Sequence, residues 1–248
     1  MIRCLIENYF MEAIKGKNIL IVGATGGIGS KTVQLLKNSG ANLFITGRDA
    51  AALNAIAGQH QVDEDALYAG DLTNEKNVVE LSTLFFKKYS QIDVLINASG
   101  IGIIKNTDQL SNEDFMSSIM INLYSPFMII KAFLPEMKKT GKGLIIHIPG
   151  VLGKVPMLGS AAYSASKYGL NGMLQSIREE IKRTEIRITN LFMGGVDSPF
   201  WDTIDLRVQK DKMITAEEAA KAIWFLCQQP SSGVINEMVL QPFNHQAI

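Results

Sequence analysis

Short runs of β-branched and aliphatic residues alternate along this chain with longer segments whose apolar positions recur every three or four residues. The runs NILIV (18–22), NLFIT (42–46), ALYA (66–69), DVLIN (93–97), GLIIHI (143–148), IRITNLF (186–192) and VINEMVL (234–240) predict seven strands. Most are continuously apolar rather than alternating, which suits a parallel sheet covered on both faces. Helical periodicity predicts helices at 27–38, 49–57, 74–89, 111–138, 160–183 and 215–228. Asn38-Ser39-Gly40 ends the first of these, with Gly40 placed for a left-handed cap. Thr215 and Glu218 open the last as a capping box. Strand–helix alternation carried through the chain predicts an α/β fold: a Rossmann-type, doubly wound, mostly parallel seven-stranded sheet with helices on both faces. No repeat, low-complexity tract or linker interrupts it, so one domain is expected over 16–248, after an extension at 1–15.

Composition narrows the setting. With 248 residues, 47% of them hydrophobic, the chain can bury a substantial core. A net charge of +0 gives no footprint for nucleic acid or an anionic membrane. Two distant cysteines, Cys4 and Cys227, fit a reducing, cytoplasmic setting better than a disulfide framework. No apolar run reaches the ~20 residues of a membrane span. The opening MIRCLIENYFMEAIKGK has no basic n-region and no cleavage site, so no signal peptide is expected, and Met11 would also make a sensible start. His60 and His245 have no nearby ligand partners in the sequence, so no metal site is expected.

The first strand runs directly into IVGATGGIGS, whose Gly23, Gly27 and Gly29 are spaced G-x-x-x-G-x-G. Glycines can merely end a strand. Between a strand and a helix, however, they let the backbone approach a pyrophosphate at the positive helix N-terminus. At the end of the second strand an NAD-selecting site would carry a carboxylate for the ribose 2′-hydroxyl. This chain has Gly47 and then Arg48, whose guanidinium suits a 2′-phosphate, so NADP is favoured over NAD. Asp49 is read as the cap of the next helix, although it could also repel phosphate.

Tyr163 and Lys167, at i and i+4, share one helical face. An ammonium beside a phenol favours the phenolate and moves its pKa toward the range useful for acid–base catalysis. Alone, such a pair is an ordinary helix surface. With the glycine turn it becomes a motif, and the chain resembles the short-chain dehydrogenase/reductase family over roughly 16–240. GATGGIG, with Gly23, Thr25, Gly27, Ile28 and Gly29, resembles that family's cofactor loop. Asp71-Leu72 resembles its adenine-contacting pair. NASG, with Asn97 and Ala98, resembles its Asn-Asn-Ala-Gly motif, and YSASK is similar to its Tyr-x-x-x-Lys signature.

The resemblance implies a nicotinamide-dependent carbonyl reductase or alcohol dehydrogenase. Tyr163 would be the acid/base, and Lys167 would lower its pKa and bind the nicotinamide ribose. Asn122 would support a water relay behind the lysine. MGGVDS (193–198) resembles the stretch beside the nicotinamide, with Gly194, Val196 and Ser198 as contacts. One landmark departs. The family's serine, thirteen residues before the tyrosine, falls on Gly150. The alternative reading is therefore a catalytically impaired cofactor-binding protein, a sensor or an assembly subunit. His147 should face away from Gly150, Ser160 reads as a cap or loop hydroxyl, and a water or a substrate hydroxyl could take the serine's place.

Substrate choice should lie with 151–159 and with a loop at 194–213. The apolar residues Phe200, Trp201, Ile204 and Leu206 of that loop suit either a partly hydrophobic small-molecule substrate or packing on the domain. The helices at 111–138 and 160–183 carry apolar residues on more than one face. By resemblance this implies a homodimer or homotetramer, with another partner chain as the alternative.

Overall fold

A computed structural model describes residues 14–230 and 232–244. The expected extension, with Cys4 and Met11, lies outside the described residues except for 14 and 15, and His245 also lies outside them.

Seven strands form one parallel sheet: β1 (Asn18–Val22), β2 (Asn42–Gly47), β3 (Leu67–Ala69), β4 (Val94–Asn97), β5 (Lys142–His147), β6 (Glu185–Met193) and β9 (Glu237–Leu240). Their order is β3-β2-β1-β4-β5-β6-β9. Consecutive residues Ile19, Leu20 and Ile21 are all fully buried. Side chains alternate faces along a strand, so that burial requires cover on both sides.

The cover is two helical layers. α1 (Gly27–Asn38), α2 (Ala50–His60) and α7 (Ala216–Leu226) pack on one face. Lys31–Glu217 and the Trp224–Ser39 hydrogen bond tie α1 to α7. α3 (Glu75–Lys88), α4 (Asn112–Ile119), α5 (Ser125–Thr140) and α6 (Ala161–Ile181) cover the other face. The expected caps form. Gly40 takes φ +79° after α1, the Thr215–Glu218 capping box opens α7, and Asp49 accepts from Ala52 N at 3.0 Å at the head of α2.

Three features differ from the sequence reading. The helix expected at 111–138 contains one π-helical turn, Met120–Tyr124, between α4 and α5. Its composition is ordinary for a helix, so nothing in the hydrophobic pattern marks it. The last strand starts at Glu237 rather than 234. A two-stranded parallel ribbon, β7 (Val196–Asp197) with β8 (Ile214–Thr215), closes the base of the loop predicted at 194–213. Two-residue strands are too short to leave a periodic signal.

The run Asn112–Thr140 is 29 residues long and apolar enough, by length and composition, to cross a membrane. Here Met128, Ile129, Ile130, Phe133 and Met137 are buried in the core shared with the sheet.

Candidate active site

The strand order reverses between β1 and β4, and in open α/β sheets the crevice beyond the strand ends at that point is where ligands bind. A groove lies there. Its walls come from the β1–α1 turn (Gly23, Thr25), the end of β2 (Arg48), the segment after β3 (Asp71, Leu72) and the segment after β4 (Ala98, Ser99).

Close approach explains the glycines. Gly23 has φ +81°, and a Cβ there would lie 2.8 Å from Ser99 N. A Cβ on Gly29 would lie 2.1 Å from Gly23 O, so the third glycine lets α1 sit against its own turn. Gly47 is hemmed in by Thr25, whose Cγ2 would be 2.9 Å from a Cβ. Arg48 is exposed at the groove wall, while Asp49 is engaged as a helix cap. Asp71 accepts from Thr73 N and Oγ1 at 3.0 and 2.9 Å, shaping the turn that carries Leu72. Asn97, buried at the end of β4, accepts from Ser99 N at 3.0 Å and Ser99 Oγ at 2.6 Å.

Beyond the groove, Tyr163 and Lys167 project from the first turns of α6. Lys167 is buried, its Nζ donates to Ile148 O at 3.3 Å, and it lies 5.5 Å from the centre of the Tyr163 ring. Gly100 makes room for it, since a Cβ there would meet Nζ at 3.2 Å. The π-helical turn aims Asn122 inward. Its Oδ1 accepts from Ile101 N at 2.9 Å, and its Nδ2 donates to Ile101 O at 3.0 Å and Ser166 Oγ at 3.1 Å. Ser166 in turn donates to Tyr163 O, so Asn122 braces the helix that carries the pair.

Desolvation dominates the electrostatics. Burial brings Lys167 down to about 8 and pushes the Tyr163 phenol above its ordinary value. The low-polarity surroundings penalise both charged forms, so burial moves the two groups in opposite directions, the phenol up and the ammonium down. Tyr163 keeps some exposed surface toward the site, which tempers its upward push. His147, at the end of β5, is fully buried with no hydrogen-bond partner for Nε2. Burial first, and then the Lys167 charge, bring it down to about 3.

The loop after β7 roofs the site. Phe200 lies 6.0 Å from Tyr163 between ring centres, and Trp201 Nε1 donates to Val196 O at 2.9 Å. A Cβ on Gly102 would lie 2.4 Å from Phe200 and 2.7 Å from Ile204. Ser198 abuts the cradle, its Cβ 2.7 Å from a Cβ built on Gly27. Gly194 packs against Pro242, whose Cδ would lie 2.6 Å from a Cβ, and donates to Leu240 O at 2.8 Å.

Gly150 occupies the position where the family's serine was expected. A Cβ there would lie 3.5 Å from Tyr163 Oη and 3.7 Å from Met193 O. Its backbone, φ +72° and ψ 162°, lies in a region that is essentially glycine-only. Ser160 donates to Met157 O at 2.6 Å and pairs with Ser164 Oγ at 2.8 Å, so both hydroxyls are engaged elsewhere.

The short chain dehydrogenase profile matches residues 17–208. The chain belongs to the short-chain dehydrogenase/reductase family, a family of oxidoreductases. An uncharacterized oxidoreductase of Staphylococcus saprophyticus is 30% identical over 241 residues, 94% of this chain and 98% of that protein. Another from the same organism is 29% identical over 235 residues, covering 94% and 100%. Among solved structures, an alcohol dehydrogenase from the archaeon Thermococcus sibiricus complexed with 5-hydroxy-NADP superposes with a TM-score of 0.84 at 25% identity, covering 94% of this chain and 100% of that one. A metagenomic short-chain oxidoreductase in complex with NADP gives 0.80 at 26% identity, covering 93% and 98%. For this family the sequence reading missed Thr46, Gly70, Thr73, Gly100 and Ile101 as groove walls. They lie within or beside the quoted stretches without having been singled out, and only the packed strand ends bring them to the groove.

Proposed function

We propose that this protein is an NADP(H)-dependent carbonyl reductase or alcohol dehydrogenase with Tyr163 as its acid/base. The observation that carries the reading is the Tyr163–Lys167 pair, braced through Asn122, beneath an apolar roof at the end of a glycine-cradled groove. The residues present suit a dinucleotide: at Gly23 and Gly29 a side chain would collide with the backbone of Ser99 and of Gly23, so glycine is what lets the turn wind closely onto the head of α1 at the groove. Gly23, Thr25, Gly27 and Ile28 would hold the pyrophosphate at the α1 N-terminus, with Gly29 setting the turn. Asp71, Leu72 and Ala98 would flank the adenosine. Arg48 would receive a 2′-phosphate, since Gly47 leaves no room for a selecting carboxylate and Asp49 is held as a cap. Val196, Ser198 and Gly194 would frame the nicotinamide end, and Lys167 the adjoining ribose. The two solved relatives described above carry NADP or a derivative, which supports the same choice.

The bound nicotinamide would supply or accept the hydride. The chain's own contribution is a proton held on Tyr163 Oη, ready for a carbonyl oxygen placed against it. Its upward-shifted phenol is a proton donor at neutral pH, the form reduction requires. The Lys167 ammonium would steady the developing phenolate. Phe200 and Ile204 would exclude water above the reacting carbon.

Gly150 favours a second reading, a cofactor-binding protein without turnover, because the serine's hydroxyl is missing. Losing one such donor typically costs about 10²–10³ in kcat, which weakens an enzyme without silencing it. Assays of carbonyl compounds with NADPH separate the two. Turnover abolished by Tyr163→Phe, with NADPH affinity retained, is expected. Undiminished turnover in that variant would sink the acid/base assignment, and NADPH binding without turnover would favour the second reading. We further propose a homo-oligomer, a dimer or tetramer, because Phe115, Met116, Tyr124, Phe127 and Tyr168 stay exposed on α4, the π turn, α5 and α6.

A further inference from the structure

We infer that the substrate brings the hydroxyl that Gly150 lacks. The preferred substrates are α-hydroxy ketones with an apolar substituent, and vicinal diols in the reverse direction. This rests on the reductase reading above and deepens it at one subsite.

The subsite begins with a backbone acceptor left over by the sheet. Along β6, Asn190 N and Gly194 N donate toward β9, to Asn236 O and Leu240 O. Alternation along a strand therefore turns the backbone groups of Met193 toward the β5 side. Pairing with β5 ends at His147–Asn190, before Met193 is reached. The chain then leaves through Ile148, Pro149 and Gly150, and Pro149 has no N–H to offer. The Met193 carbonyl instead faces Gly150, 3.7 Å from where a Cβ would be, and among the described residues Tyr163 Oη is the only other atom within 4 Å of that point beyond Gly150's chain neighbours. The space beside Gly150 is thus bounded by the reacting phenol and by an acceptor without a strand donor.

Among the described residues no hydroxyl serves that acceptor. Ser160 and Ser164 are engaged with Met157 and each other, and φ +72° at Gly150 disfavours a side chain there. A substrate hydroxyl fits by geometry. A serine oxygen would stand at hydrogen-bonding distance, about 2.5–3.0 Å, from the substrate's carbonyl oxygen. Two oxygens on adjacent carbons in a gauche arrangement are separated by about that same distance. A carbonyl oxygen docked on Tyr163 Oη therefore carries its α-hydroxyl into the space beside Gly150, where it donates to Met193 O. The rest of the molecule meets Phe200 and Ile204, which calls for an apolar substituent.

In the reaction the carbonyl carbon gains a hydride from the reduced nicotinamide dinucleotide. Its C=O π bond opens, and the oxygen takes the Tyr163 proton. The products are a vicinal diol and the oxidised dinucleotide, and the α-hydroxyl keeps its bonds throughout. Its role is anchoring.

The test uses the full chain with NADPH and three matched ketones: 2-hexanone, 1-hydroxy-2-hexanone and 1-methoxy-2-hexanone. The methoxy compound keeps an electron-withdrawing oxygen but cannot donate a hydrogen bond. Expected is a kcat/KM about 10- to 100-fold higher for the hydroxy ketone than for the methoxy ketone, the effect of a buried acceptor gaining its donor. Calorimetry with NADP present should find 1,2-hexanediol binding more tightly than 1-methoxy-2-hexanol. Equal rates for the hydroxy and methoxy ketones overturn the proposal. If NADPH binds and no ketone turns over, the reductase reading falls, and the calorimetric pair still decides the subsite. Equal affinities there overturn it too.

Discussion

Arg48 and Lys167 are the single side chains on which the proposed cofactor choice and an energetic cost turn. Gly47 ends β2 where a selecting carboxylate would stand, and Thr25 fills the space its side chain would need. In the proposed NADP reading, discrimination would fall to the exposed Arg48. Replacing Arg48 with Ala should raise the KM for NADPH roughly 10- to 100-fold, as for a lost charge-assisted hydrogen bond, and leave that for NADH nearly unchanged. Steady-state kinetics with both cofactors check this. Lys167 is different. Burial lowers its pKa from 10.5 to about 8. Between those values the unfolded chain holds a proton that the folded chain has released, so stability rises with pH across that window. At pH 7 the buried ammonium is a standing cost. Lys167→Met should abolish activity yet stabilise the fold at pH 7 by ~1–3 kcal/mol, an advantage gone above pH 10.5. Denaturant melts at pH 7 and 10.5 test it. Both residues could be singled out in the sequence, Arg48 by its place after the second strand and Lys167 by its spacing from Tyr163 taken together with the glycine turn. Their energetics were not, because burial is set by Ile148, Gly100 and the sheet rather than by neighbours in sequence.

At the scale of elements, the π-helical turn at Met120–Tyr124 does what a regular helix would not. One extra residue in the turn directs Asn122 inward, where it meets both backbone groups of Ile101 and the hydroxyl of Ser166. Asn122→Ala removes the partner of both backbone groups of half-buried Ile101 and of the buried Ser166 hydroxyl and should cost about 1–3 kcal/mol, read as a fall in Tm. Activity should fall as well, since the Ser166–Tyr163 link loses its brace. The strands and the helix caps could be read from the sequence because apolar runs and capping residues are local signals. The π turn could not, since MINLY has the composition of any helical turn. The β7–β8 ribbon escaped because it is held by parallel pairing between distant residues, Val196 with Ile214 and Asp197 with Thr215.

Across the whole molecule, the strand order and its reversal between β1 and β4 follow from strand–helix alternation with short right-handed crossovers, so the groove's location was implicit in the pattern. Its lining was less so, because residues such as Gly100 and Ile101 matter only once β4 lies beside β1. What surrounds the molecule leaves a trace in the exposed aromatics of α4, α5 and α6. Phe127 is 41% exposed and stacks on Tyr124, with 6.2 Å between ring centres. If that surface joins copies of the chain, Phe127→Asp should shift the protein toward monomer in analytical ultracentrifugation while leaving its circular dichroism intact. An unchanged mass would place the contact elsewhere.

The roof over Tyr163 has one more consequence. Ser198 and Pro199 press on Gly27 in the phosphate cradle, while Phe200, the next residue, covers the reacting tyrosine. If the proposed reaction runs here, cofactor groove and substrate space would share a single door: displacing the stretch that carries Ser198 and Phe200 would open both at once. Exchange of product and of dinucleotide would then be coupled through one short length of chain, anchored at the β7–β8 ribbon.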